Sequence, residues 1–188
     1  MGAVDAGLVE VFDLEGNLSR TLLNPSPAPL DYFGWSLAAE GEHIVVGAYL
    51  DDTFDFDAGA AHVFSSVSGE LLHTLSSPDI DESDYFGIAV AISDDVIAVG
   101  ARRADIGAVD DGAVYLFDAT SGEFLREIAN PTSENFDSYG SSVALSGDLL
   151  VVGDNRDNTG AAGSGAAYVF SVTAGELVHA LILSLIHI

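Results

Sequence analysis

Phe86-Gly87-Ile88-Ala89-Val90-Ala91-Ile92, then Ser93-Asp94-Asp95, then Val96-Ile97-Ala98-Val99-Gly100: this stretch decides the fold. Two short apolar runs meet at a tight polar turn, the pattern of an antiparallel hairpin. An eleven-residue polar loop from Arg102 to Gly112 leads to a third run, Ala113 to Phe117. Ala119-Thr120-Ser121-Gly122 then turns the chain into Glu123-Phe124-Leu125-Arg126-Glu127-Ile128. The first three runs are nearly continuous in apolar residues rather than alternating. Such strands are covered on both faces, as when sheets stack on like sheets. No long 3.6-residue periodicity competes, and the β-branched, aromatic and Gly content opposes helix.

Working outward, the same unit recurs. Phe33-Gly34, Phe86-Gly87 and Tyr139-Gly140 lie 53 residues apart, as do Gly47, Gly100 and Gly153. Gly-x-x-x-x-Phe recurs at Gly59–Phe64, Gly112–Phe117 and Gly165–Phe170, with an earlier copy at Gly7–Phe12. A long fixed period marks one supersecondary unit that cannot bury its own faces. Four-stranded antiparallel blades packed radially make a β-propeller. The expected class is all-β, a β-propeller fragment of half a blade plus three blades. Strands are expected near 34–39, 43–48, 59–65 and 70–75, and again 53 and 106 residues later. Residues 1–32 supply the last two strands of a preceding blade and a linker. The blades follow at 33–85, 86–138 and 139–181. Pro25, Pro78 and Pro131 share the period, but position 184 is Ser, so 182–188 reads as a non-repeat tail left by truncation or read-through. Phe33, Phe86 and Tyr139 are expected to be buried between blades.

These landmarks resemble the FG-GAP repeat of the integrin α-chain N-terminal β-propeller family. The Phe-Gly pairs match its FG, and Val46-Gly47-Ala48 and Val99-Gly100-Ala101 match its GAP half without the Pro; Val152-Gly153-Asp154 departs further. The likeness covers about residues 7–181 and is closer in style to bacterial secreted arrays than to an animal integrin. It implies adhesion or ligand binding at an extracellular or cell-surface location, with some relatives beside enzyme domains; fold alone does not give function. The family's calcium loops, Asp-x-Asp-x-Asp-Gly-x-x-Asp, fall between the first two strands of a blade. Here those connections are Glu40-Gly41-Glu42, Ser93-Asp94-Asp95 and Ser146-Gly147-Asp148, too short to wrap a cation with six to eight oxygens. The calcium site is not carried over. No cofactor is expected, and any calcium binding is expected to be weak.

The charge fits a soluble protein that keeps company with cations, or one living in salty water that screens its self-repulsion. Thirty acidic residues face five basic ones, all Arg, for a formal net charge of −25. Nucleic acid and anionic membrane both demand a positive surface and are poor partners, so neither nucleic-acid binding nor membrane insertion is expected. There is no Cys, so neither a disulfide framework nor thiolate chemistry arises. Met1–Asp5 lacks the basic and apolar regions of a signal peptide.

The acids concentrate in two kinds of loop. Those joining second to third strands hold Asp51, Asp52, Asp55 and Asp57, then Asp105, Asp110 and Asp111, then Asp154 and Asp157. Those joining blades hold Asp31, then Asp79, Asp81, Glu82 and Asp84, then Glu134 and Asp137. In an up-and-down blade both kinds emerge at the same end, giving one acidic face. The candidate ligand residues are Asp52, Asp55, Asp57, Asp84, Asp105, Asp110, Asp111 and Asp137. The plainer reading is a solvated face whose Asp side chains hold turn backbone. It gains weight because Asp52, Asp105 and Asn158 share one repeat position, and Asp31, Asp84 and Asp137 another. Arg20, His73, Arg126 and His179 recur on the outermost strand, where a basic residue discourages edge pairing. His62, Tyr115 and Tyr168 share a packing slot. Trp35 does not recur. No Gly-x-Ser-x-Gly elbow, Walker loop or His/Cys metal spacing is present.

The resulting expectation is a non-enzymatic extracellular repeat segment binding a protein or glycan ligand, with neighbouring blades of a parent chain as further partners. The rivals are the propeller part of a secreted hydrolase or lyase with catalytic residues elsewhere, and a structural spacer. An enzyme needs unique residues converging near the axis, whereas the blades of this chain are nearly interchangeable.

Overall fold

The computed structural model describes residues 6–79 and 81–182. Fourteen strands and no helix occur among them. A two-stranded sheet pairs β1 (Leu8–Phe12) with β2 (Leu18–Leu23). Three four-stranded meanders follow. The first comprises β3 (Ser36–Glu40), β4 (His43–Ala48), β5 (Ala60–Ser65) and β6 (Leu71–Leu75). The second comprises β7 (Phe86–Ser93), β8 (Val96–Ala101), β9 (Ala113–Asp118) and β10 (Phe124–Ala129). The third comprises β11 (Tyr139–Ser146), β12 (Leu149–Asp154), β13 (Ala166–Ser171) and β14 (Leu177–Ile182). Every pairing is antiparallel between sequential strands. This is the expected half blade plus three blades, with strand ends within about two residues of those read from the period. β14 runs through Ile182, one residue into the segment read as tail. The rest of that tail, 183–188, and Met1–Asp5 lie outside the described residues.

The continuous apolar runs have the reason proposed for them. Along β4 and β5, alternate residues serve opposite neighbours. Ile44, Val46, Ala48 and Phe64 pack with Val9, Leu22 and Phe33 toward the half blade. Val45, Ala61 and Val63 pack with Phe86, Val99 and Tyr115 of the second blade. Across the next boundary Ala98, Val114 and Leu116 meet Tyr139, Leu150 and Tyr168. Phe33, Phe86 and Tyr139 are buried, as expected. The first strand of each blade lies against the first two strands of the blade before it, β7 on β3 and β4, β11 on β7 and β8. On the far side of the third blade the equivalent positions, Val151 and Leu181, are exposed, and Phe12 of the half blade is exposed where Phe64, Phe117 and Phe170 are buried.

Glycine sets how close the blades come. Gly87 and Gly140 follow the buried aromatic residues at φ 87° and 83°, a backbone region that a side chain disfavours. A Cβ added at Gly47 would sit 2.1 Å from the Gly87 carbonyl oxygen, and one at Gly100 would sit 2.0 Å from that of Gly140. Backbone touches backbone across both boundaries, which explains why these two landmarks share one period.

The outer basic residues do more than guard an edge. His73 Nε2 lies 2.9 Å from the Thr120 carbonyl oxygen, and Arg126 donates to the Thr173 carbonyl oxygen at 3.1 Å. Each reaches 47 residues ahead, to the turn between the third and fourth strands of the next blade. Arg20 lies against the corresponding turn at Gly69. These side chains clasp successive blades at their rim.

Candidate functional site

Both kinds of acidic loop emerge together. Ser83 N donates to the Phe56 carbonyl (2.9 Å), Arg103 N to that of Asp84 (3.2 Å) and Phe136 N to that of Val109 (2.8 Å). Each bond ties a blade-to-blade connection to a loop between second and third strands, so the two sets form one continuous face.

The candidate Asp residues divide by burial. Asp52, Asp55 and Asp105 are exposed, and Asp57 and Asp110 half-buried. Asp84, Asp111 and Asp137 are buried. Asp52 and Asp105 accept the amides of Asp57 (2.7 Å) and Asp110 (2.6 Å), and Asn158 does the same for Gly163 (2.7 Å). The accepted residues have φ of 51°, 52° and 64°, so the side-chain oxygen holds a left-handed turn closed in every blade. Asp55 accepts from Phe56 N at 2.8 Å. Asp111 accepts the amides of Ile106 (3.0 Å) and Gly107 (3.1 Å). Asp84 and Asp137 accept from Asp81 N (3.2 Å) and Glu134 N (2.9 Å), as Asp31 does from Ala28 N (2.6 Å). The repeated carboxylates are therefore loop scaffold, and the exposed oxygens left for a ligand belong to Asp52, Asp55, Asp57, Asp105 and Asp110.

Burial moves several of these groups. It lifts Asp84 to about 7, helped by the charges of Asp81, Asp105 and Asp110 and opposed by the Asp81 amide. Asp31, Asp137 and Asp154 are raised for the same first reason. At Asp51 and Asp157 burial also pushes upward, but bonding outweighs it and both fall below the usual carboxylate value. Asp51 Oδ2 lies 3.4 Å from His62 Nε2, and Asp157 accepts from the Tyr168 hydroxyl.

Beneath this face the boundaries alternate in character. At the first, Asn24 Nδ2 donates to Asp31 (2.7 Å) beside the Asp51–His62 pair. At the third, Asn130 donates to Asp137 (3.0 Å), and Asp157 binds Tyr168 and Thr132 (2.8 Å). At the middle boundary the corresponding residues are Ser77, Asp84, Ala104, Tyr115 and Asp79. Arg20 and Arg126, Asn24 and Asn130, Asp51 and Asp157, and His73 and His179 are each 106 residues apart. Part of the boundary chemistry thus recurs at every second blade, while the buried Asp31, Asp84 and Asp137 recur in each.

A cluster of aromatic side chains, Trp35 and Tyr49 of which break the repeat, gathers on the loop face. Tyr32 and Tyr49 stack with centroids 5.7 Å apart; Trp35 lies 4.9 Å from Tyr49, and Tyr85 meets Tyr49 edge-on at 5.4 Å. Arg103 and Arg102 lie 4.5 Å and 5.4 Å from the Tyr85 centroid. Phe54 and Phe56 are exposed in the loop that follows Tyr49, and Phe136 is exposed in the connection between the second and third blades, beside Arg102 and Arg103. Tyr32 and Tyr85 share one repeat position, but Tyr49 becomes Arg102 and Asn155 in the other blades, and Trp35 becomes Ile88 and Ser141. For Trp35 and Tyr49 the signal in the sequence is the failure to repeat.

The first and second strands are joined by two-residue turns, with Glu40 paired to His43, Ser93 to Val96 and Ser146 to Leu149. Asp94 and Asp95 both have positive φ, the geometry of a tight hairpin. These turns do not fit a calcium loop.

Among known proteins, no curated sequence matches the chain. The family model described as FG-GAP repeat matches it three times, at residues 21–64, 72–117 and 131–170. Each match starts on or just after an outer strand and ends at the third strand of the following blade, on Phe64, Phe117 or Phe170. The matches thus span the boundaries where the blades touch, cover more than half of the residues and keep the phase of the landmarks; the chain belongs to the FG-GAP repeat family.

Proposed function

We propose that this chain is a non-enzymatic binding module of the β-propeller type, serving adhesion or ligand capture for a secreted or cell-surface protein. FG-GAP repeats build β-propeller-like binding modules and are typical of extracellular or surface proteins. Among the described residues no helix is long and apolar enough to cross a membrane. The observation that carries the reading is the contrast between scaffold and loop face. The glycines and buried aromatic rings of the boundaries recur blade after blade, whereas the loop face replaces its counterparts with exposed aromatic and Arg side chains. A spacer has no use for Trp35, Phe54, Phe56 and Phe136 in water, and exposed aromatic patches mark interaction sites.

The ligand class is a protein or glycan, approached by aromatic contact and by the free oxygens of Asp52, Asp55, Asp57, Asp105 and Asp110. The test is an immobilised array of extracellular proteins and glycans, probed with the wild-type chain and two variants. Phe54→Ser/Phe56→Ser/Phe136→Ser is expected to lose binding with an unchanged melting temperature. Leu14→Ser/Val67→Ser, on the opposite turns, is expected to keep it. Equal loss in both variants, or no specific binding at all, refutes the reading.

A further inference from the structure

Three of the five Arg residues line one pocket. Arg102, Arg103 and Arg156 surround a cavity of about 250 Å³ on the loop face between the second and third blades, with Asp110, Phe136, Asp137 and Ser138. The chain offers six acidic residues for every basic one, so an unpaired Arg is unexpected. Yet no Arg forms an ion pair among the described residues. The Arg102 Nε–H is buried without an acceptor, as are Nε and Nη1 of Arg20 at its rim clasp. The other two arginines, Arg20 and Arg126, occupy the rim clasps. Position and period are also telling. Arg103 and Arg156 share a repeat slot held by Leu50 in the first blade, and Arg102 replaces Tyr49 and Asn155. The cluster therefore exists at one boundary only. Tyr85 fixes Arg102 and Arg103 from beneath, as a cation over an aromatic face.

We propose that this pocket binds the carboxylate of a small ligand. Guanidinium forks hold a carboxylate through paired N–H···O bonds, and a single negative charge suits the place. Asp110 and Asp137 in the wall, together with the overall charge of −25, disfavour a dianion such as phosphate. The proposal rests on the loop face being a binding surface and names the chemistry one part of it selects.

Five Arg residues give five resolvable side-chain Nε–H signals. The chain is titrated at constant ionic strength with glucuronate, with N-acetyl-aspartate amide, and with glucose and inorganic phosphate as comparisons. The signals of Arg102, Arg103 and Arg156 are expected to shift saturably with the carboxylates, while those of Arg20 and Arg126 stay in place. The tighter of the two carboxylates identifies a sugar or a peptide source. Arg103→Gln/Arg156→Gln, at exposed positions, is expected to weaken binding more than tenfold. Equal shifts of all five signals, no shift, tighter phosphate binding, or unchanged affinity in the double variant overturns the proposal. Array binding that persists when the titration fails sinks only the carboxylate assignment. Carboxylate binding without array binding sinks the adhesion reading.

Discussion

Replacing Phe86 by Ala tests the packing scheme at its centre. The ring has no exposed surface. It lies 5.8 Å from Tyr115 and meets Phe117 edge-on at 5.9 Å, with Val45, Val63 and Leu75 of the first blade closing the other side. Phe→Ala in a core costs about 3–5 kcal/mol, the upper end applying where the cavity cannot collapse. Collapse is blocked here because the backbones of Gly47 and Gly87 already touch, as do those of Gly59 and Phe86. The expected loss is thus about 4–5 kcal/mol, a large part of the roughly 5–15 kcal/mol that holds a domain together. The molecule supplies its own control. Phe12 is a fourth copy of the landmark held by Phe64, Phe117 and Phe170, but it is 54% exposed. Phe12→Ala should cost under about 1 kcal/mol. Urea denaturation followed by circular dichroism and by the fluorescence of Trp35, the sole tryptophan, measures both variants. A loss below about 1 kcal/mol for Phe86→Ala, or equal losses for the two, would refute the reasoning.

Four further outcomes are expected. Asp84 has a folded pKa of about 7 against an ordinary 3.8, so the native state holds the extra proton between those values and stability falls as pH rises through that window; Asp84→Asn should match wild type near pH 4 and melt higher at pH 8, and parallel melting curves would contradict this. Gly100→Ala drives a methyl into the Gly140 carbonyl and should destabilise by about 3 kcal/mol, the upper end for overpacking, in the same urea assay, a loss under about 1 kcal/mol meaning that the blades can part without penalty. With Val151 and Leu181 exposed at one end and Phe12 at the other, sedimentation of the isolated chain should show self-association reduced by Leu181→Glu; a monomer at high concentration would rule this out. Calorimetry should find no calcium site tighter than about millimolar, and a micromolar site lost on Asp52→Ala or Asp105→Ala would reverse that view.

The blades were legible because their determinants repeat. Phe-Gly, the Val-Gly step and Gly-x-x-x-x-Phe each mark a backbone approach or a buried ring, and these are the same at every boundary. The loop caps were legible for the same reason, since Asp52, Asp105 and Asn158 do one job in three places. What repetition hides is difference. The group formed by Tyr32, Trp35, Tyr49 and Tyr85 joins residues from three loops, and none of them is kept in all the blades. The clasping by His73 and Arg126 depends on an acceptor 47 residues away, a neighbour that only the radial stacking supplies. Burial of Asp84, Asp111 and Asp137 beside exposed Asp52 and Asp105 follows from side-chain direction within the loops, which composition does not encode.

The alternation of boundaries governs which rearrangements of the gene this fold tolerates. Removing one repeat, residues 86–138, keeps every landmark in phase but sets the third blade against the linker of the first. Asp157 then loses the Thr132 hydroxyl, and the residue in that slot is Asp79, a carboxylate facing a carboxylate. Asn130, which donates to Asp137, vanishes with the same excision, and Ser77 takes its place. Removing 106 residues restores like to like: Asn24 meets the chemistry of Asn130, and Arg20 that of Arg126. A deletion or duplication of two blades is therefore expected to keep these boundary pairs matched, whereas a change of one blade is not.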